Sequence, residues 1–472
     1  MGNSSKLSAK DRVLTLLDDN SFVEIGALVT KRNTDFNLQA KEAPSDGVIT
    51  GYGTINDGPV YVYAQDASVL NGTIGEMHAK KISRIYDLAM KCGAPVIGLI
   101  DCGGLRIEEA TDALEGLGEV MTKQVLASGV IPQIAVILGS CGGGLSVSAS
   151  LNDFVFVEKN GKLFLNTPNV VKGNNTDKCD TASAAFKAEC GAADFSVEGE
   201  VEILNEVRNL VSVIPACNED DAVLSECDDD LNRLTPDFAG EAEDPAVALA
   251  DISDDGFFIE VKKDFANEMV TGFIKLDGVT IGAVANRAVL SKDGKAAEKF
   301  ETRLTAGGCA KAEKFVKFCD AFDIPVLTIT NVDGYATCMC AETKLSREAA
   351  QLLAAFADAT CPKVNVIVKG IGSAYTVMNS KATGADMVFA LEGALVGPMA
   401  SDLAVQILKG DQKDDATKAE YEKLQLSAEA AAKRGYVDAI ISSEDVRRNV
   451  LYAFEMLYLK AEDRPGKKYK TV

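Results

Sequence analysis

The feature that most constrains this chain is an internal repeat held in one register. Residues 94–104 (APVIGLIDCGG) resemble 324–334 (IPVLTITNVDG), each an apolar run entered through a proline and left through a glycine. Residues 131–144 (IPQIAVILGSCGGG) resemble 361–374 (CPKVNVIVKGIGSA) in the same manner. Four anchors share one offset: 325−95, 362−132, 334−104 and 372−142 all equal 230. Ile85, Leu88, Ala89 and Cys92 keep the i, i+3, i+4, i+7 spacing of a one-faced helix, and Phe315, Phe318, Cys319 and Phe322 repeat it at the same offset. A chain written twice in this way is expected to fold as two similar units.

Each half reads as helix, buried strand, glycine turn, helix, buried strand, small-residue turn, helix. Runs such as 134–138 (IAVIL) and 364–368 (VNVIV, broken only by Asn365) are nearly continuous in apolar residues, as strands covered on both faces are. The alternation predicts an α/β class for both halves. A hairpin precedes each unit, at 50–63 and 271–284, with Asp-Gly at its turn (Asp57-Gly58 and Asp277-Gly278). From Cys217 to Asp244 there are eleven acidic residues and one basic one, Arg233, which reads as a solvated linker or, alternatively, an acidic helical flap. The expected domains are 1–232 and 233–472, and the Lys-rich terminus (GKKYKTV) is expected to be a tail.

Composition removes several functions. The formal net charge of −22 opposes a nucleic-acid partner. No apolar run approaches the roughly twenty residues of a membrane span, so no membrane insertion is expected. The first residues (MGNSSKLSAK) show no apolar signal region and Lys6 breaks a myristoylation pattern, so the expectation is a cytoplasmic protein. Its twelve cysteines, with no CxxC, read as reduced thiols rather than a disulfide frame or zinc ribbon. A single histidine, His78, rules out a multi-histidine metal site, and no metal is expected. His78 reads as a structural residue. The elbow-like Gly139-Ser140-Cys141-Gly142-Gly143 lacks an evident base for a cysteine hydrolase. Arg106 and Glu109 read as a surface or interface ion pair.

What remains is chemistry by backbone dipoles. Cys141-Gly142-Gly143-Gly144 leaves an apolar strand and opens a helix, so unpaired N–H groups lie beside small side chains. Such a turn suits a developing oxyanion. The plainer reading is a tight turn and close packing. The second half offers Gly372-Ser373-Ala374 at the matching place, and two such turns in one chain point to two carbonyls handled together.

From about residue 10 to 460 the chain resembles the carboxyltransferase subunit of biotin-dependent acyl-CoA carboxylases and decarboxylases, which carry two tandem crotonase-like (ββα superhelix) domains. The matching stretches are 60–82, 101–109 and 139–149 in the first half and 269–277, 313–325, 367–380 and 431–440 in the second. The resemblance implies that Gly143 and Gly144 N–H groups hold the acyl-CoA thioester carbonyl, with Gly103, Gly104, Cys141 and Gly142 around the substrate. It implies that Ser373 and Ala374 hold the ureido carbonyl of carboxybiotin, with Gly334, Gly372, Tyr375 and Thr376 on the biotin side. Biotin would come on a separate carrier protein, since Ala89-Met90-Lys91-Cys92 fails the biotinylation motif at its last position.

The implied partners are a biotin carboxyl carrier protein and biotin carboxylase, or a membrane decarboxylase subunit. The implied assembly is a homo-oligomer, a hexamer, with active sites at the dimer interface. The implied reaction passes a carboxyl group to the α-carbon of an acetyl- or propionyl-type CoA through an enolate. Its alternatives are the alpha subunit of a sodium-pumping decarboxylase of methylmalonyl- or glutaconyl-CoA type, and a non-catalytic crotonase-like assembly protein. Three stretches depart from the family: Ser373 replaces the middle glycine of Gly-Gly-Ala, Asn331-Val332-Asp333-Gly334 lacks the proline of Asp-x-Pro-Gly, and 335–341 (YATCMCA) lacks the glycine-proline pattern. The stretch 166–199 is also unlike most relatives.

Overall fold

A computed structural model describes residues 6–33, 42–220, 223–292, 295–410 and 414–466. The Lys-rich tail and the first five residues lie outside the described residues. The chain divides into two compact units, Met1–Asp221 and Ala222–Val472.

The first unit is a seven-stranded sheet in the order Val23–Glu24, Val48–Ile55, Gly58–Gln65, Val96–Ile100, Gln133–Ile137, Phe154–Glu158, Phe195–Val197. The second repeats it: Ile259–Val261, Met269–Leu276, Val279–Asn286, Val326–Asp333, Lys363–Ile371, Met387–Gly397, Ala439–Ile441. In both, the first three strands are antiparallel and every later pairing is parallel. All five residues of each central strand, 96–100 and 133–137, are buried, as strands covered on both faces require, and Gln133 is the one polar side chain among them.

The helices that follow the hairpins, Glu76–Cys92 and Ala306–Ala321, carry the two predicted apolar faces. The first ends on Gly93, whose φ of 62° closes a left-handed cap. The second starts at Thr305, whose hydroxyl accepts the Gly308 N–H at 2.9 Å.

Two expectations need correction. In the first hairpin Ile55 faces Gly58, so the turn residues are Asn56 and Asp57 (φ 50° and 65°) rather than Asp57-Gly58. The second hairpin does turn on Asp277-Gly278 (φ 51° and 72°). Asparagine and aspartate tolerate positive φ well enough to make a primed turn without glycine. The acidic stretch, too, is only partly a solvated linker: Glu226, Asp228, Asp230, Asp237 and Glu243 are exposed, while Asp229 and Asp244 are not. The division falls at 221/222 rather than 232, because Leu224 bridges Val279 and the Ser225 N–H donates to the Gly278 carbonyl at 3.0 Å. Beyond it, Asp229 pairs with Arg233 and the buried Arg447, and Phe238 is fully buried in a short helix. Asp229 is fixed by the buried Arg447 and Asp244 by the buried Arg287, partnerships that charge counting along the sequence does not reveal.

Candidate functional site

The first turn is built on a pair of short strands. Ser140–Gly142 runs parallel to Lys162–Phe164, and the chain then turns on Gly143 at φ 61°, ψ −136° into the helix Gly144–Ser150. That backbone conformation is open to glycine and strained for any L side chain. The Gly143 N–H is not free: it donates to the Phe164 carbonyl at 2.9 Å. The Ser146 N–H and hydroxyl return to the Gly143 carbonyl at 3.1 and 2.7 Å. The donors left over by the first helical turn are therefore Gly144 and Leu145. Of the expected pair Gly143 and Gly144, the Gly143 N–H is thus engaged within the chain and that of Gly144 is left over.

A cavity of about 410 Å³ opens over this turn, bordered by Gly103, Gly104, Gly142, Gly143, Gly144 and Leu145. The loop 102–105 is held there because Cys102 donates its N–H to the Ser140 carbonyl at 2.8 Å and Gly103 donates to Asn71 at 2.9 Å. Phe164 closes one wall so tightly that a Cβ on Gly142 would lie 2.4 Å from its ring. Cys141 does not join this border. Its side chain is fully buried in the unit's core and burial pushes its thiol far up. His78 is equally buried, donating from Nδ1 to the Asp46 carbonyl at 2.9 Å, with Nε2 3.2 Å from the Gln65 amide. Burial pushes its pKa down to about 3, so Cys141 and His78 make no hydrolase pair.

The second turn repeats the hydrogen bonds of the first. Gly372, at φ 79°, donates its N–H to the Gly397 carbonyl at 2.8 Å, as Gly143 does to Phe164. Tyr375 donates back to the Gly372 carbonyl at 3.1 Å, as Ser146 does to Gly143. The leftover donors here are Ser373 and Ala374, matching Gly144 and Leu145. The sequence offset of 230 pairs Gly142 with Gly372, so the turns correspond only after a one-residue slip; ladder irregularities on both sides of Lys363–Ile371 accompany it.

Gly334 (φ 92°) donates to the Ile371 carbonyl at 3.2 Å, and a Cβ on Gly372 would stand 3.6 Å from the Gly334 Cα. The Tyr375 ring covers Gly370, and burial pushes its hydroxyl up to about 12. Thr376 borders a separate cavity of about 420 Å³ within this unit, together with Tyr335, Leu345 and Val377. Gly334, Gly372, Ser373, Ala374 and Tyr375 lie outside its lining.

Sequence reading missed Leu145 and Phe164, since neither residue type signals a backbone donor or acceptor. It also misjudged Arg106, which is no surface pair. Arg106 is buried, contacting Asp46 at 2.6 Å, Glu109 at 2.7 Å and the Thr73 carbonyl at 2.8 Å. That clamp fixes the segment leading to Ile74, which borders the first cavity. Among the described residues no cluster of three or more His, Cys, Asp or Glu could hold a metal, and no helix is long and apolar enough to cross a membrane.

The chain is similar to known proteins over nearly its whole length. The propionyl-CoA carboxylase beta chain of Roseobacter denitrificans is 38% identical over 99% of this chain and 94% of its own length. The methylmalonyl-CoA decarboxylase subunit alpha of Veillonella parvula is 38% identical over 99% and 93%. Transcarboxylase 12S, solved as a hexamer assembly with methylmalonyl-CoA and methylmalonic acid bound, matches with a TM-score of 0.92 at 32% identity over 99% of this chain and 93% of that one. The carboxyl transferase domain model matches residues 3–472, and the chain, two crotonase-like units in tandem, belongs to that family.

Proposed function

We propose that this protein is the carboxyltransferase component that moves a carboxyl group between biotin on a separate carrier protein and the α-carbon of a short-chain acyl-CoA. The observation that carries the reading is the pair of matched turns, each ending a parallel strand with two N–H groups left without an acceptor among the described residues. Amide donors fixed in place stabilise an oxyanion more as its charge grows, which is differential binding of the transition state.

In this reading Gly144 and Leu145 receive the thioester oxygen as the acyl α-carbon becomes an enolate. Gly103 and Gly104 leave room for the thioester, and the apolar wall of Leu117, Leu145 and Phe164 keeps water from it. The residues of the second turn fit a ureido group: a carbonyl acceptor needs N–H donors, and Ser373 and Ala374 present them beside Gly334 and Tyr375. Biotin, when bound, supplies the carboxyl group and a nitrogen able to take the α-proton. The chain's own contribution is donors, shape and dryness. Its single histidine, buried and neutral, takes no part. Thr376 borders the cavity beside the second turn and is assigned to the biotin side. A homo-oligomer, like the transcarboxylase 12S hexamer, and a cytoplasmic location among twelve free thiols complete the proposal.

The test is transfer from carboxylated carrier protein to acetyl-, propionyl- and crotonyl-CoA, run also in reverse from methylmalonyl-CoA. Transfer to or from any one of these supports the reading. Absence of both directions with every thioester ends it. The direction and thioester preferred separate a carboxylase from a decarboxylase component, since relatives of both names stand at equal identity.

A further inference from the structure

Among the free cysteines, Cys338 and Cys340 differ from the rest: both are exposed and only one residue separates them. The strand Val326–Asp333 ends at Gly334, and the chain is then pinned where the Ala336 N–H donates to the Leu304 carbonyl at 2.9 Å. Cys338 is the N-cap of the twenty-residue helix Met339–Asp358, and its carbonyl accepts the Ala341 N–H at 3.0 Å. An N-cap side chain ordinarily bonds a free helix N–H. The Cys338 thiol makes no such cap bond, and the nearest other thiol in the sequence is that of Cys340. Met339, between them, is 91% exposed, so the pair faces solvent.

The pair also stands at a rim. Tyr335 and Ala336, just before it, and Ala341, Glu342 and Leu345, just after it, border the cavity that Thr376 and Val377 share. A change in the 338–340 backbone therefore acts on cavity-lining residues that precede and follow it in the chain.

We propose that Cys338 and Cys340 form a dithiol–disulfide modification site, oxidised by small disulfides of the glutathione class, whose closure deforms the rim of this cavity and slows carboxyl transfer. The Cys338 thiolate attacks one sulfur of the disulfide RSSR, breaking its S–S bond and releasing RS⁻, which takes a proton to become RSH. The Cys340 thiol then gives its proton to solvent and attacks the Cys338 sulfur, expelling the second RS⁻, which is protonated in turn. Two protein thiols and one RSSR become one protein disulfide and two RSH; the cysteines lose two electrons and the reagent gains them. Cys338 is the attacking group because the neighbouring Cys340 holds its thiol below the ordinary range. A Cys-x-Cys bridge must draw its two Cα atoms into the narrow disulfide range, and the first helical turn, which holds Ala341 and Glu342, absorbs that change.

The activity arm rests on the carboxyltransferase reading; the chemical arm does not. The full-length protein is equilibrated with reduced and oxidised glutathione at graded ratios, alkylated and digested. The expected result is a 338–340 peptide two hydrogens lighter and resistant to alkylation, with Cys338→Ser and Cys340→Ser each stopping at a glutathione adduct. In parallel, wild type loses transfer activity on oxidation and regains it with dithiothreitol, while the C338S/C340S double variant is unaffected by oxidised glutathione. Failure of the internal disulfide to form at any ratio overturns the site. A disulfide that leaves activity unchanged, or equal loss in the double variant, overturns the coupling to the rim. Inactivity of the fully reduced wild type condemns the carboxyltransferase reading alone, because the peptide mass still decides the site.

Discussion

Lys81 and Lys311 occupy the same place in the two units, 311−81 being the repeat offset of 230. Each is buried in the helix that follows its hairpin and turns its ammonium onto backbone at the entry to that hairpin. Lys81 donates to the Ser45 carbonyl at 3.0 Å and to Val48, and Lys311 donates to the Phe265 carbonyl at 2.9 Å. Burial pushes their pKa values down to about 8 and about 7. The duplicated fold therefore carries a duplicated buried cation.

Lys311 makes stability depend on alkaline pH. Glu260 and Glu268 favour its charge, Arg287 and Lys262 oppose it, and burial outweighs them. An unfolded lysine titrates near 10.4, so between about pH 7 and 10 the unfolded chain holds a proton that the folded chain lacks. Stability from this residue then rises with pH, by roughly 1.4 kcal/mol per unit at most. Lys311→Met removes that rise. Urea midpoints at pH 6.5 and 9.5 should favour the variant, relative to wild type, more at 6.5 than at 9.5. Parallel profiles would refute the assignment.

His78 acts in the acid range. Its folded pKa of about 3 lies below the unfolded value near 6.5, so its stabilisation is complete above pH 6.5 and is lost as pH falls toward 3. About 2 kcal/mol is withdrawn by pH 5. His78→Gln keeps a polar group beside Gln65 and abolishes this proton uptake. The difference in urea midpoint between pH 7 and 5 should be smaller in the variant, and an undiminished difference rules the effect out.

The fold was legible because duplication doubles every weak signal. The run IAVIL alone is ambiguous between strand and buried helix, but its echo at 364–368 fixes the layered order. The turns were legible as places, through their small residues, and not as donor pairs. Which N–H stays free depends on the Phe164 and Gly397 carbonyls, which arrive from other strands and carry no side-chain signature. Arg106 was misread for a similar reason. Its partner Asp46 lies sixty positions away in sequence, and local spacing showed only Glu109.

Arg106 pairs with two buried carboxylates at once. Asp46 also accepts the His78 N–H at 2.8 Å, and Glu109 accepts the Glu76 N–H at 2.6 Å, so neither can turn away. Desolvation already lifts the Asp46 pKa, and Arg106 is the charge that resists it. Arg106→Met should destabilise the protein by roughly 3–5 kcal/mol, as breaking a buried pair does. Arg106→Lys should recover little, because one ammonium cannot span Asp46, Glu109 and Thr73 as the planar fork does. Denaturant midpoints check both; a loss below about 1 kcal/mol for Arg106→Met is incompatible with a buried clamp.

The donors can be deleted one at a time with little damage to the backbone. Gly144 is the first residue of its helix, where proline is well accommodated, and Ser373 has φ −65°, the value proline imposes. Gly144→Pro and Ser373→Pro each remove one N–H. Gly144→Ala and Ser373→Ala keep the N–H, and at Gly144 the alanine carries the same Cβ toward Leu117, 3.2 Å away. Each proline variant should lose about 10²–10³ in kcat against its alanine control, the usual effect of losing one oxyanion donor. Circular dichroism and thermal melting establish that each pair folds alike. Gly143→Ala distinguishes donor from scaffold: its N–H is already spent on Phe164, and nothing lies within 4 Å of the added Cβ, so strain at φ 61° lowers stability. If the proline variants turn over as fast as the alanines, the N–H groups of Gly144 and Ser373 are not the oxyanion donors.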